Sequence, residues 1–206
     1  MARMGRTTKK ISLLGCTFFL HPEVYEPAED SILLATNQRL EPQSRVLDLG
    51  TGCGIQGIIA AKKHSKVVST DINPFAVELA EKNASLNNVR DMMEFRLGDL
   101  FEPVKGEIFD VILFNPPYLP RDPDERVGWL EKAWDGGKSG RSLIDRCIDK
   151  AGNHLVVGGH LEIVQSSIAD IDKTLERLTR KGFMVEVVAE KKIFFEKLVV
   201  MVAVKC

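Results

Sequence analysis

Charge of one dominant sign is missing from this chain. Its 206 residues carry 28 Lys and Arg against 29 Asp and Glu, a formal net charge of −1. A balanced total gives no bulk attraction for phosphate backbones, although a local basic face is compatible with it. Cysteine is sparse as well. The four cysteines, Cys16, Cys53, Cys147 and Cys206, form no CxxC pair and have no histidine at ligand spacing. That speaks against a disulfide framework and against a metal site, and predicts reduced, buried thiols in an intracellular protein. Long apolar runs are absent; Leu198 to Val204 is far too short to span a bilayer. The N-terminus lacks the basic, apolar, small-residue order of a signal peptide. A soluble, cytoplasmic protein without a membrane partner is expected.

What is present is an ordinary core composition, 44% apolar, in a length that suits one domain. Residues 1–206 are read as a single domain, with 1–43 as an N-terminal extension. Within that extension, residues 1–10 (MARMGRTTKK) form a basic, frayed tail, or alternatively a weak docking arm for an acidic partner or RNA. Ile11 to Tyr25 holds a short strand or hairpin, and a helix starts at Pro27 and runs through Leu34. From residue 44, strand and helix patterns alternate. Val46–Leu49, Lys66–Thr70, Met93–Leu97 and Phe109–Phe114 read as strands, and Ile55–Lys63 and Pro74–Leu86 as helices. After a long loop come a helix from Ser142 to Ala151 and a strand over His154–Val164 around a Gly158-Gly159 turn. A helix over Ile168–Lys181 and strands at Phe183–Ala189 and Lys197–Lys205 complete the chain. Alternation implies a parallel sheet covered on both faces, and the short link between the last two strands makes them antiparallel. The expected fold is α/β: a Rossmann-like, doubly wound, mostly parallel sheet ending in an antiparallel hairpin.

Acids stand at the ends of three successive strands. Asp48 precedes the glycine turn Gly50 to Gly54, whose glycines allow a sharp bend and close approach to a ligand. A carboxylate there repels a pyrophosphate but suits a cationic ligand with an amino-acid tail. Asp71 ends the second strand, where an acid accepts from the hydroxyls of an adenosine ribose. Asp99 follows the third, placed to accept from an adenine amino group, with Leu100 flanking the ring. Ligands bind at this edge of open α/β sheets.

Asn115-Pro116-Pro117-Tyr118 follows the fourth strand. Asn115 offers an amide acceptor, and Pro116 a carbonyl with no competing N–H. Pro117 stiffens the turn, and Tyr118 presents a flat face. This set suits a planar NH2 group, with two acceptors for its two protons and an aromatic cover. Asn115, Pro116 and Tyr118 are therefore the candidate catalytic residues. The chemistry that fits is methyl transfer from S-adenosylmethionine, which needs positioning and electrostatic preorganisation rather than a strong base.

These motifs resemble the HemK-like glutamine N5-methyltransferases of peptide-chain release factors, and their eukaryotic and archaeal branch in particular. The likeness lies in Val24 to Asp30, Thr70 to Pro74, Phe114 to Tyr118, and Ala133 to Gly137 with Gly140-Arg141. It implies a class I methyltransferase fold, S-adenosylmethionine as cofactor, and the glutamine amide of a release factor's Gly-Gly-Gln loop as substrate. By resemblance, cofactor contacts fall on Asp48, Gly50, Asp71, Asp99, Leu100 and Asn115, with Ser31 near the cofactor's amino-acid end. Asn115, Pro116, Pro117, Tyr118 and Leu119 correspond to the substrate segment. The branch also implies a small zinc-binding activator subunit along the strand Met93 to Leu97, with Met92, Met93 and Phe95 as apolar contacts. Bacterial members carry a helical N-terminal substrate-binding domain for which this sequence has no room, so release-factor docking is expected to differ.

The same tetrapeptide logic serves exocyclic amines, adenine N6 or guanine N2 in DNA or RNA. Balanced charge argues against nucleic acid. In favour stand the basic tail and Arg121, Arg126, Lys132, Lys138 and Arg141 in the long loop, offset by Asp122, Asp124, Glu125, Glu131 and Asp135. A NAD-dependent oxidoreductase shares the fold and Asp71 but has no use for residues 115–118. A non-catalytic nucleoside-binding subunit has no use for Asn115. The two tyrosines, Tyr25 and Tyr118, lie in the motifs and the two tryptophans, Trp129 and Trp134, in the loop, a clustering that fits a site for flat groups.

Overall fold

The computed structural model describes residues 9–121 and 128–206. The first eight residues of the basic tail, and residues 122–127 of the loop with their charges, lie outside the described residues.

A hairpin of β1 (Lys10–Leu13) and β2 (Cys16–Phe19) leads to α1 (Glu29–Asn37). Then follow β3 (Arg45–Leu49), α2 (Ile55–Lys62), β4 (Lys66–Asp71), α3 (Pro74–Leu86), β5 (Met93–Leu97) and β6 (Phe109–Phe114). The chain closes with α4 (Ser142–Ala151), β7 (Leu155–Ser166), α5 (Ile171–Arg180), β8 (Phe183–Ile193) and β9 (Glu196–Lys205). The main sheet has the order β5-β4-β3-β6-β7-β9-β8. β3 to β7 run parallel, and β9 lies antiparallel between β7 and β8. This is the expected doubly wound sheet. Its order reverses between β3 and β6, where Leu49 pairs with Phe114. Gly50 and Asn115, the next residues of each strand, therefore emerge side by side at the switch point.

The central strands β3, β4 and β6 are buried on both faces and read accordingly as apolar runs; in β6 only Asp110 is not buried. One core cluster packs the sheet with α4 and α5, and another packs it with α2, α3 and the β1–β2 hairpin. That hairpin is held by two side-chain amides of α3. Asn83 accepts from Phe19 N (2.8 Å) and donates to Phe19 O (3.1 Å), and Asn87 does the same with Thr17 N (3.0 Å) and Thr17 O (2.8 Å). An amide carries the donor and the acceptor that a free strand edge needs. Pro74 opens α3, capped by Asn73 Oδ1, which accepts from Phe75 N at 2.9 Å.

The larger differences from the sequence reading are four. Ala28 keeps an extended backbone (φ −119°), so α1 starts at Glu29 and Pro27 stays outside it. Gly158-Gly159 is not a turn: β7 continues through it as a bulge, the register jumping from Phe109–Leu155 to Val111–His160. Ser167–Ala169 is a 3-10 turn, and Asp170, at φ 59°, separates it from α5. The last hairpin is longer than expected, reaching Ile193 and Glu196 with Phe194-Phe195 as its turn, because charged Glu190 to Lys192 suit an exposed edge strand as well as a linker. Cys206 is exposed, unlike the three buried cysteines. Among the described residues no helix is long and apolar enough to cross a membrane.

Candidate active site

An open cleft lies at the switch point. Ser31, Gly50, Asp71, Asp99, Leu100 and Asn115 all line it, together with Trp129 and Lys132 from the long loop. A second cavity, smaller in the number of residues around it, is lined by Asp30, Pro116, Tyr118, Leu119, Trp134 and Glu196. Tyr25, Asn115, Pro117 and Ala133 line both. Asn115 thus stands on the boundary between the two spaces.

Asp48 is the one expected cofactor residue outside the cleft lining. It is 1% exposed, and its carboxylate accepts from Thr51 Oγ1, Gly57 N (3.0 Å) and Ser69 Oγ (3.4 Å). It braces the glycine turn from beneath. Burial, partly offset by those donors, pushes its pKa up to about 6. Asp71 lies at the cleft wall, its Oδ2 accepting from Gly52 N (2.9 Å) and its Oδ1 from Asn73 N (2.9 Å). Burial holds its carboxyl above the usual range. Each oxygen keeps a lone pair for a further donor. Asp99 faces the cleft while paired with Arg146 at 2.5 Å.

The polar centre joins three elements. Asn115 Nδ2 donates to Ser31 Oγ at 3.2 Å. Ser31 Oγ donates in turn to Asp30 Oδ1 at 3.1 Å. Asp30, 4% exposed, also accepts from Ser31 N (2.5 Å), Tyr25 OH (3.2 Å) and Tyr118 OH (3.1 Å). Because a carboxylate only accepts, Ser31 must spend its hydrogen on Asp30 and receive one from Asn115. That fixes the orientation of the Asn115 amide. Its Oδ1 is buried with no hydrogen-bond partner, a costly state away from water. Both tyrosine hydroxyls are pushed well above their usual pKa, first by burial and then by the Asp30 charge. They stay protonated.

The Asn-Pro-Pro-Tyr segment is backed by the loop that follows it. Leu119 N donates to Trp134 O (3.0 Å), Gly136 N to Leu119 O (2.8 Å) and Arg121 N to Gly137 O (2.9 Å). Gly140 is required at the crossing: its φ is +71°, and a Cβ there would lie 2.2 Å from Tyr118 O. Buried Arg141 ties the loop to the start of α5, donating to Asp170 O (2.6 Å) and Thr174 Oγ1 (3.0 Å). Gln56 Nε2 donates to Ser31 O at 2.9 Å, pinning α1 to α2.

Tyr25 and Asp30 were not among the expected site residues, although both fall in the Val24 to Asp30 motif. Gln56 and Glu196 had no local signal at all, being one helical Gln and one strand-end Glu among many charges. Met93, expected as a partner contact, is 3% exposed and belongs to the core; Met92 and Phe95 are partly buried against it.

A switch-point cleft with a glycine turn, strand-end acids and a rigid amide acceptor defines a nucleoside-dependent group-transfer enzyme on a doubly wound sheet. The chain belongs to the methyltransferase small domain family, whose model matches residues 19–129. A Methanocaldococcus jannaschii relative with the provisional name protein N5-glutamine methyltransferase is 50% identical over 92% of this chain and 96% of its own length. The release factor glutamine methyltransferase of Aquifex aeolicus is 35% identical over 73% of this chain, which spans 57% of that longer protein. Among solved structures, the E. cuniculi Mtq2–Trm112 complex, responsible for methylating the eRF1 translation termination factor, has a chain that superimposes with a TM-score of 0.68. It is 28% identical, covering 89% of this chain and 99% of that one. The protein is a methyltransferase with the class I fold. The cleft suits a nucleoside-bearing donor, because Asp71 and the glycine turn form its wall.

Proposed function

We propose that this enzyme methylates N5 of a glutamine side chain, the glutamine of a peptide-chain release factor's Gly-Gly-Gln loop. The observation that carries the reading is Asn115 Oδ1: buried, unpartnered, held in orientation through Ser31 and Asp30, and placed where the two cavities meet. The relatives' names support the substrate class.

S-adenosylmethionine supplies an electrophilic methyl on sulfur, open to in-line attack by nitrogen. Ser31, Gly50, Asp71, Asp99 and Leu100 would hold it in the larger cleft, with Asp48 acting indirectly by bracing the turn. Asn115 Oδ1 and the Pro116 carbonyl accept the two amide protons, and Pro117, Tyr118 and Leu119 confine the side chain. Two acceptors would favour a pyramidal nitrogen with its lone pair free for attack. No general base is needed, because the nitrogen loses its proton after transfer; the protein's contribution is orientation and preorganised charge.

The branch likeness adds a small zinc-binding activator subunit along β5. That strand is one edge of the sheet, and Leu97 on it is 57% exposed. Unpaired cysteines suit action in the cytoplasm. The test of substrate is transfer of label from methyl-labelled donor to release factor, to the same factor with its loop glutamine changed to alanine, and to RNA. Label in the first alone is expected; label in RNA alone means a base-amine methyltransferase.

A further inference from the structure

The β8–β9 ribbon projects beyond the rest of the sheet. β9 pairs with β7 as far as Leu198, opposite Ser166, whereas β8 and β9 continue pairing out to Ile193 and Glu196. At the tip, Phe194 and Phe195 are 104% and 103% exposed. Tight hairpin turns favour glycine and asparagine, which accept positive φ without strain. Phe194 nevertheless takes φ +25°. Neither burial nor turn geometry accounts for two phenylalanines here, so local preference and structure conflict, as they do at functional positions.

The next residue shows what the tip adjoins. Glu196 lines the smaller cavity with Asp30, Pro116 and Tyr118, and Ser166 Oγ donates to its carboxylate. The aromatic tip is therefore continuous with the rim of the space assigned to the glutamine. Any protein that inserts a loop into that cavity must bring the surface beside the loop against Phe194 and Phe195. Exposed aromatic pairs are typical anchors of protein interfaces.

Resting on the glutamine-methylation reading, we propose that Phe194 and Phe195 form a docking tip that seats on an apolar surface of the folded substrate protein, beside its glutamine-bearing loop. The tip supplies affinity for the intact protein and takes no part in methyl transfer.

The test is the double variant Phe194→Asn/Phe195→Gly, whose turn chemistry suits a hairpin better than the native pair. Phe194→Ala/Phe195→Ala serves as a second variant. Both are compared with wild type on intact release factor and on a short Gly-Gly-Gln peptide, with S-adenosylhomocysteine binding as the control for an intact cleft. The expected result is a KM for intact protein raised about tenfold or more, as for loss of an aromatic anchor. Turnover at saturation, peptide methylation and cofactor-product binding should be unchanged. An intact-protein KM equal to wild type overturns the docking role, and so does an equal loss on peptide and protein. A wild-type dimer that the variant converts to monomer in sedimentation assigns the tip to a second copy instead. Wild type that methylates neither substrate removes the functional reading and the docking role together; wild-type methylation with an unchanged variant KM removes the docking role alone.

Discussion

Ser31 and Asn115, 84 positions apart in sequence, share one hydrogen bond of 3.2 Å, and that bond decides which end of the Asn115 amide is left to accept. Its direction is set by Asp30, which takes the serine hydrogen. Asn115→Ala should lower turnover about 100-fold or more, by analogy with loss of one preorganised hydrogen-bonding group. S-adenosylhomocysteine affinity should change far less. Ser31→Ala should cost less, about tenfold, because the acceptor remains but is free to turn. Single-turnover rates at saturating donor measure both, and a Ser31→Ala rate equal to wild type removes the orienting role.

Tyr118→Phe deletes one of the donors to buried Asp30. A stability loss of about 1–3 kcal/mol is expected, because a buried carboxylate loses a partner. Since the ring remains, turnover should fall by less than in Asn115→Ala. Chemical denaturation and steady-state kinetics on the same preparation separate the two effects.

Asp48 sets a pH dependence with a definite sign. Its folded pKa, raised by burial to about 6, lies above the unfolded value of 3.8. Between those values the folded state binds the proton and the unfolded state does not. This residue's contribution to stability is therefore fully present below pH 3.8 and is lost as pH rises through about 6. The stability difference between wild type and Asp48→Asn should move against wild type across that window by on the order of 3 kcal/mol, at about 1.4 kcal/mol per pKa unit. A difference that is flat from pH 4 to pH 6.5, followed by denaturant unfolding, contradicts a buried, brace-like Asp48.

Gly140→Ala places a Cβ against the Tyr118 carbonyl. The loop through Trp134 to Gly137 should detach from residues 119–121, raising amide exchange at Leu119, Arg121 and Gly136, whose N–H groups bridge the two segments. Activity should drop with the fold retained, because β6 is undisturbed. Unchanged exchange at those three amides means the loop does not depend on the close approach.

How much of this could be read in advance follows from the range of the interactions. Periodicity and turn residues located every strand of the main sheet, since burial on both faces writes itself into local sequence as at Phe109 to Phe114. Asn115, Asp71 and Gly50 were legible because a switch point gathers strand ends, and strand ends can be counted. The burial of Asp48 was not legible: an acid at a strand end reads the same whether it lines the cleft or supports the turn, and only the packing of Gly57 and Ser69 tells them apart. Asp30 was hidden because its partners are a tyrosine five residues away and another 88 residues on. The bulge at Gly158-Gly159 copied the sequence of a turn, and the length of the last hairpin was masked by charges that an edge strand tolerates.

The central claim is that the acceptor held at Asn115 serves a glutamine amide. The most direct measurement is mass spectrometry of release factor after incubation with S-adenosylmethionine and this enzyme, locating the added methyl by fragmentation. One added methyl group is expected on the side-chain nitrogen of the Gly-Gly-Gln glutamine, absent with Asn115→Ala. A methyl group on any other residue, or an unmodified factor beside methylated RNA, contradicts it.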